Sequence, residues 1–367
     1  MDMFKGAYDP TAAPEFRGNY YRSIPECRAW QGSFSEDVLD PELPIVDAHH
    51  HLQEDRHGRY LLHEAAADMG TGHNFVATVH VQAKSMLRAE GPAAFRDVGE
   101  TEFARGMAAM AATGLYGRAR ICEGIVAFAD LRLDPGLVRE VLDAQAEAAG
   151  GRLRGIRQIA PYVAGELAKS MPLNASEGLL RLADFRRGFA ELGKRGLSFD
   201  AWLFHPQLGD VAALAHKFPD TTIILNHLGG RLGIGPYAAR FEEEFANWRA
   251  ALRALAAHPN IYVKVGGLGM LYGGFAFHTR ERAPHSQELA DAWGPFILTA
   301  IEVFGPERSM MESNFPIDNQ SASFPVIWNA FKRVTAKFSA AERAAMFHGV
   351  AQKAYRLSSD VKGVIRP

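Results

Sequence analysis

Cysteine is nearly absent: Cys27 and Cys122 are the two in 367 residues. That excludes a disulfide scaffold and a multi-cysteine zinc module. Neither sign of charge is in excess, with 40 Lys+Arg against 42 Asp+Glu and a formal net charge of −2. A nucleic-acid binder or a polybasic membrane-surface protein would need a basic excess or stripe. No stretch approaches the roughly 20 apolar residues of a membrane helix. The N-terminus MDMFKGAYDPTAAPEF has no charged start followed by an apolar run, so no secretory signal is read there. The expectation is a cytoplasmic protein whose partner is a small molecule, not nucleic acid or membrane; a homo-oligomer stays open. Internal repeats and low-complexity tracts are missing too. So is a G-x-G-x-x-G after the first strand. The pairs Gly229-Gly230 and Gly266-Gly267 lack the Lys-Ser/Thr of a phosphate loop.

What is present is ordinary in bulk and ordered in sequence. Hydrophobic residues are 47% and charged residues 22%, normal for a globular chain and against disorder. Residues 1–43 are polar and interrupted by Pro10, Pro14, Pro25 and Pro41, and read as an arm or cover over a domain spanning 44–367. From Ile45 onward short apolar segments recur. The predicted strands are Ile45–His49, Phe75–Val81, Glu123–Ala129, Arg154–Ile159, Ser198–Leu203, Thr222–Asn226, Ile261–Val265 and Ser309–Ser313. Near-continuous apolar runs suit strands buried on both faces of a parallel sheet. Helices are predicted between them, over Glu102–Thr113, Pro135–Ala149, Ser176–Arg195, Leu208–Phe218, Tyr237–His258 and Ser286–Phe304, with Ala340–Leu357 closing the chain. Strands alternating with helices leave a (β/α)8 barrel, a doubly wound sheet or two α/β domains. The stretch from Ile45 to Pro316 is close to the ~250 residues of a typical barrel.

Histidines fall at strand ends. In Asp47-Ala48-His49-His50-His51-Leu52, strand alternation points His49 and His51 one way and His50 the other. Two imidazoles aimed into one cavity suit a divalent metal such as zinc, with Asp47 orienting a ring from behind. His227 follows the apolar run Ile223-Ile224-Leu225, where barrel active sites are built. His205 and His80 sit at further strand ends, with packing as the alternative for both. Of Arg154 and Arg157 only one can face a cavity; Arg157, nearer the strand end, is the candidate for a substrate carboxylate. Lys264 is read either as a substrate contact or as a barrel-interior ion pair. On the last strand Glu312 and Asn314 share a face, and Asp318 beyond Pro316 could turn back over the mouth or cap the next helix.

Asp-Ala-His-His-His-Leu, Arg-Gly-Ile-Arg, Phe-His-Pro-Gln-Leu, Leu-Asn-His-Leu-Gly, Val-Lys-Val-Gly-Gly-Leu and Glu-Ser-Asn-Phe-Pro occur in order from Ile45 to Asp318. Together they resemble the amidohydrolase superfamily, in the branch of sugar lactonases, 2-pyrone-4,6-dicarboxylate lactonase and 4-sulfomuconolactone hydrolase. The resemblance implies a distorted (β/α)8 TIM barrel with an N-terminal arm and C-terminal helices. It implies that His49, His51 and His227 are catalytic and would hold a metal if one is bound. It also implies that Arg157 holds a substrate carboxylate or lactone oxygen. The family usually ends its eighth strand on an Asp that ligates metal and takes the proton from water; here that position is Asn314. An amide is no general base near neutral pH. His227 and Asp318 are the expected substitutes, Glu312 being too deep, or Asn314 itself serves an oxyanion.

The expected function is a hydrolase that opens a lactone or related cyclic ester of a small carboxylated substrate. The carbonyl would be polarised by the His cluster with or without one divalent metal (Zn). Two rivals are a metal-dependent decarboxylase of an aromatic acid and a non-catalytic small-acid binder.

Overall fold

The computed structural model describes residue 16, residues 18–32 and residues 34–358. Pro10 and Pro14 of the expected arm lie outside the described residues. Eight strands form one sheet: β1 (Pro44–His50), β2 (Asn74–Val81), β3 (Arg120–Ala127), β4 (Leu153–Arg157), β5 (Ser198–Ala201), β6 (Ile223–Leu225), β7 (Ile261–Val265) and β8 (Ser309–Met311). Each pairs in parallel with the next in the chain. A parallel bridge between His50 and Phe315 returns the last strand to the first. The backbone N–H of His51 donates to Phe315 O at 2.7 Å, and that of Asn314 donates to His49 O at 2.9 Å. The sheet is thus a nearly closed (β/α)8 barrel.

The short β6 shows why apolar runs make this fold. Ile223 and Leu225 join the cluster shared with the helices, whereas Ile224 joins the one inside the barrel. Alternation along a strand sends neighbours to opposite faces, and here both faces are dry. The helices that cover the outside are α1 (Leu62–Met69), α2 (Val98–Ala111), α3 (Pro135–Ala149), α4 (Ala183–Lys194), α5 (Leu208–Lys217), α6 (Phe241–Ala256), α7 (Ser286–Phe304) and α8 (Phe324–Val334). In α3 the Asp134 carboxylate accepts from Gly136 N, Pro135 opens the first turn, and Gly150 at φ 55° ends it. The predicted helix 176–195 starts later. Leu182 is extended (ψ 137°) between a single turn at Leu179–Arg181 and α4. The predicted last helix is broken by a π turn at Ala345–Gly349.

Both ends of the barrel are covered. Val350, Ala351, Ala354, Tyr355 and Leu357 cluster with interior strand residues such as Val46, Val79, Val126 and Met310. At the other end the arm forms a helix over Ile24–Gln31, opened by a capping box between Ser23 and Glu26. Gln320, beyond β8, accepts from Tyr21 N at 2.8 Å and Arg22 N at 2.9 Å, which fixes the arm to that end. Among the described residues no helix is long and apolar enough to cross a membrane.

Candidate active site

β1 ends in a register shift between Asp47 and His50. His49 and His51 face each other with 3.2 Å between their Nε2 atoms, while His50 points away to Thr78 Oγ1 at 2.8 Å. His51 Nδ1–H donates to Val81 O at 2.7 Å, so its Nε2 carries the lone pair. Asp47 does not orient a ring. It accepts from the backbone N–H of His49 (3.2 Å) and Ser313 (2.9 Å) and from Ser313 Oγ (2.6 Å), tying β1 to β8.

His227 sits at φ 55°, in a left-handed run continued by Leu228 and the two glycines after it. Its Nδ1–H donates to Glu312 Oε1 at 2.8 Å and its backbone N–H reaches the same oxygen at 3.0 Å. The other oxygen, Oε2, stands 3.0 Å from His49 Nδ1. Glu312 is deep, but depth does not set it aside: it is the carboxylate shared by two of the imidazoles. Strand alternation places it two residues before Asn314 on the same face, which is the signal in the sequence that could have found it. Gly266 and Gly267 make the room. A Cβ on Gly267 would stand 2.5 Å from His227 Nδ1, and one on Gly266 would stand 2.5 Å from Glu312 Cγ.

Arg157 faces inward and is 5% exposed. It stands 3.3 Å from His49 Nε2 and donates to Gln82 O. Among the described residues no carboxylate forms an ion pair with it. Arg154 points outward to the carbonyls of Gly151 and Leu153. Lys264 is fully buried. Its Nζ donates to Asp200 Oδ2 at 2.7 Å and lies 3.1 Å from His49 Nδ1. Tyr355 O–H reaches the same Asp200 oxygen at 2.8 Å. Neither Asp200 nor Tyr355 stood out in the sequence.

A cavity of about 170 Å³ opens at this end of the barrel, lined by His51, Arg157, His227 and Asn314 among others. His49 lies just behind them. Four other candidates are not in its lining. Lys264 is the interior ion pair rather than a substrate contact. His205 is bonded to Glu244 (3.0 Å) and to the Leu232 N–H (3.2 Å). His80 is buried beside Glu100, 3.7 Å away. Asp318 does not turn over the mouth: it accepts from Asn314 Nδ2 at 2.7 Å and from Gly269 N at 2.8 Å, and so holds the Asn314 amide from behind. Burial also pushes its carboxyl well above the usual range.

Burial holds the imidazoles of His49, His51 and His227 well below the ordinary histidine range, with Lys264 and Arg157 adding to the effect. These rings are neutral near pH 7, the form that accepts protons and binds metal. Burial pushes the Glu312 carboxyl up to about 8, against the pull of Lys264. The residues fit a divalent cation. Ligand atoms of His49, His227 and Glu312 lie within 4.8 Å of one another, and buried Glu312 Oε2 has no hydrogen-bond donor. Glu312, which was not among the expected ligands His49, His51 and His227, joins two of them in this group.

The amidohydrolase family model matches residues 46–357. The chain is 35% identical over 298 residues to the uncharacterized protein y4mH of Sinorhizobium fredii, covering 81% of this chain and 86% of that one. It is 31% identical over 237 residues to L-fucono-1,5-lactonase of Burkholderia multivorans, covering 64% and 71%. Among solved structures, an amidohydrolase from Burkholderia multivorans with bound zinc superposes with a TM-score of 0.61 at 28% identity, covering 86% of this chain and 99% of that one. The family match runs from within β1 through β8 to the C-terminal plug, and the chain belongs to the amidohydrolase family as a TIM-barrel hydrolase.

Proposed function

We propose that the protein hydrolyses a lactone of a small carboxylated substrate. One observation carries this: a buried Arg157 guanidinium, with no carboxylate ion-paired to it among the described residues, and the His227 imidazole line the same cavity. A guanidinium without a protein counter-ion is a receptor for the substrate's carboxylate. The bond from His227 Nδ1 to Glu312 leaves its Nε2 as the proton acceptor. Nε2 takes a proton from water as the water oxygen adds to the lactone carbonyl carbon. The acyl carbon–oxygen bond then breaks, and the ring oxygen takes the proton back from His227. The product is the hydroxy acid. The Asn314 amide, held by Asp318, serves the charge that builds on the carbonyl oxygen.

A divalent cation held by His49, His227 and Glu312 would supply Lewis-acid polarisation of the carbonyl. The two roles compete for one lone pair on His227, so chelation separates them. The test is proton release from a panel of carboxylated lactones with an indicator dye, before and after metal removal. Turnover retained without metal assigns the proton step to the imidazole. Turnover lost and restored by zinc assigns the lone pair to the cation. No turnover of any lactone contradicts the proposal. The lactonase relative from Burkholderia multivorans supports the reaction class. The near absence of cysteine fits a cytoplasmic setting.

A further inference from the structure

Beside Arg157 the cavity is lined by Ile159, Leu173, Met270, Ile317 and the Trp202 ring. No carboxylate is among the described residues that line it. The second cation at the mouth, Lys84, is already compensated by Asp97 at 3.0 Å. Two of the neutral side-chain amides are partly committed, one N–H each. Gln53 Nε2 donates to Tyr20 Oη at 2.6 Å, and Asn314 Nδ2 donates to Asp318. Phe16 of the arm packs against the same apolar cluster as Trp202 and Met270. Leu173, a large apolar side chain in the cavity lining, is 44% exposed.

We infer that the ligand is an anion with an apolar body, and not a polyhydroxylated sugar acid. The carboxylate sits on Arg157 and the body lies against the Ile159, Leu173 and Trp202 side chains. Ring hydroxyls placed against the Ile159, Leu173, Met270 and Ile317 side chains would leave water for groups that cannot receive them, and burying an unpaired hydroxyl is costly. The inference rests on the proposed reading of Arg157 as the carboxylate receptor, and it deepens that reading by naming the substrate class. The relative whose name specifies a sugar lactone would then differ from this chain in the body its site accepts.

Equilibrium binding tests this without requiring turnover. Cyclohexanecarboxylate and its tetrahydroxylated counterpart quinate share ring and carboxylate, and differ in the hydroxyls. Calorimetry on the intact protein is expected to show cyclohexanecarboxylate bound tighter by on the order of tenfold or more. Leu173→Asn is expected to narrow that gap several-fold, by weakening cyclohexanecarboxylate and strengthening quinate. Thermal unfolding of Leu173→Asn checks that the variant is folded. Quinate binding as well as or better than cyclohexanecarboxylate overturns the inference, and so does a gap that Leu173→Asn leaves unchanged. Failure of both acids to bind overturns it together with the role of Arg157. Lactone hydrolysis that proceeds alongside a preference for quinate sinks the substrate class alone and leaves the proposed reaction standing.

Discussion

Gly267 carries no side chain because His227 occupies the space one would fill. Its φ is 67°, and an added Cβ would meet His227 Cβ and Cγ at 2.6 Å. Gly267→Ala therefore has to move the imidazole or the strand end. We expect kcat to fall by about tenfold or more with the circular dichroism spectrum retained. A variant with full activity would show that the ring position is not critical. Glu312→Gln tests the carboxylate behind that ring. It leaves a side chain of the same shape but replaces one oxygen with a donor, which disturbs the Nδ1–H tautomer. The expected loss is on the order of 100-fold in kcat, with KM within a few-fold. An unchanged kcat would assign Glu312 to structure. At this scale the sequence was readable in part. His49, His51, His227, Arg157 and Asn314 stand at strand ends, where alternation predicts their facing. Asp200 was not readable, because its partner Tyr355 is 155 residues away and only the closed barrel joins them.

At the level of elements, strands were the more legible. Their apolar runs recur at barrel spacing, and the sheet order follows the chain. Several helices were not read in the sequence for local reasons: α1 is 8 residues long, the helix Glu166–Ser170 is 5, α8 has a proline at its second position, and the helix Ile24–Gln31 lies in a proline-rich arm. That arm carries a pH dependence. The ring of His278 contacts Tyr21 at a centroid distance of 5.0 Å, and its carbonyl accepts from Arg22. Burial, reinforced by Arg22, lowers its imidazole to about 4 from the ordinary 6.5. Between those values the docked arm binds fewer protons than the released one. Docking is therefore at full strength above about 6.5 and weakens as pH falls towards 4, by at most about 1.4 kcal/mol per pH unit. Hydrogen exchange of residues 20–31, corrected for intrinsic rates, should quicken between pH 7 and about pH 4.5. Protection that does not change would contradict this assignment.

The whole molecule is a barrel closed at one end by its own C-terminal segment and bordered at the other by the arm. The family match begins at residue 46 and so takes in the plug but not the arm. Asn19, in the arm, nevertheless lines the cavity. The chemistry common to the family lies in the barrel, and part of the wall that a substrate meets is added by residues before it. That division was hidden in the sequence, since a polar, proline-rich segment gives no sign of where it folds back.

The central claim is that one imidazole, backed by a carboxylate and facing a lone guanidinium, moves the proton in ring opening. The most direct measurement is the steady-state rate of proton release from a carboxylated lactone by wild-type protein and by His227→Asn. The account predicts that the variant remains folded, with kcat lower by on the order of 100-fold or more. A variant that opens the lactone at the wild-type rate would contradict it.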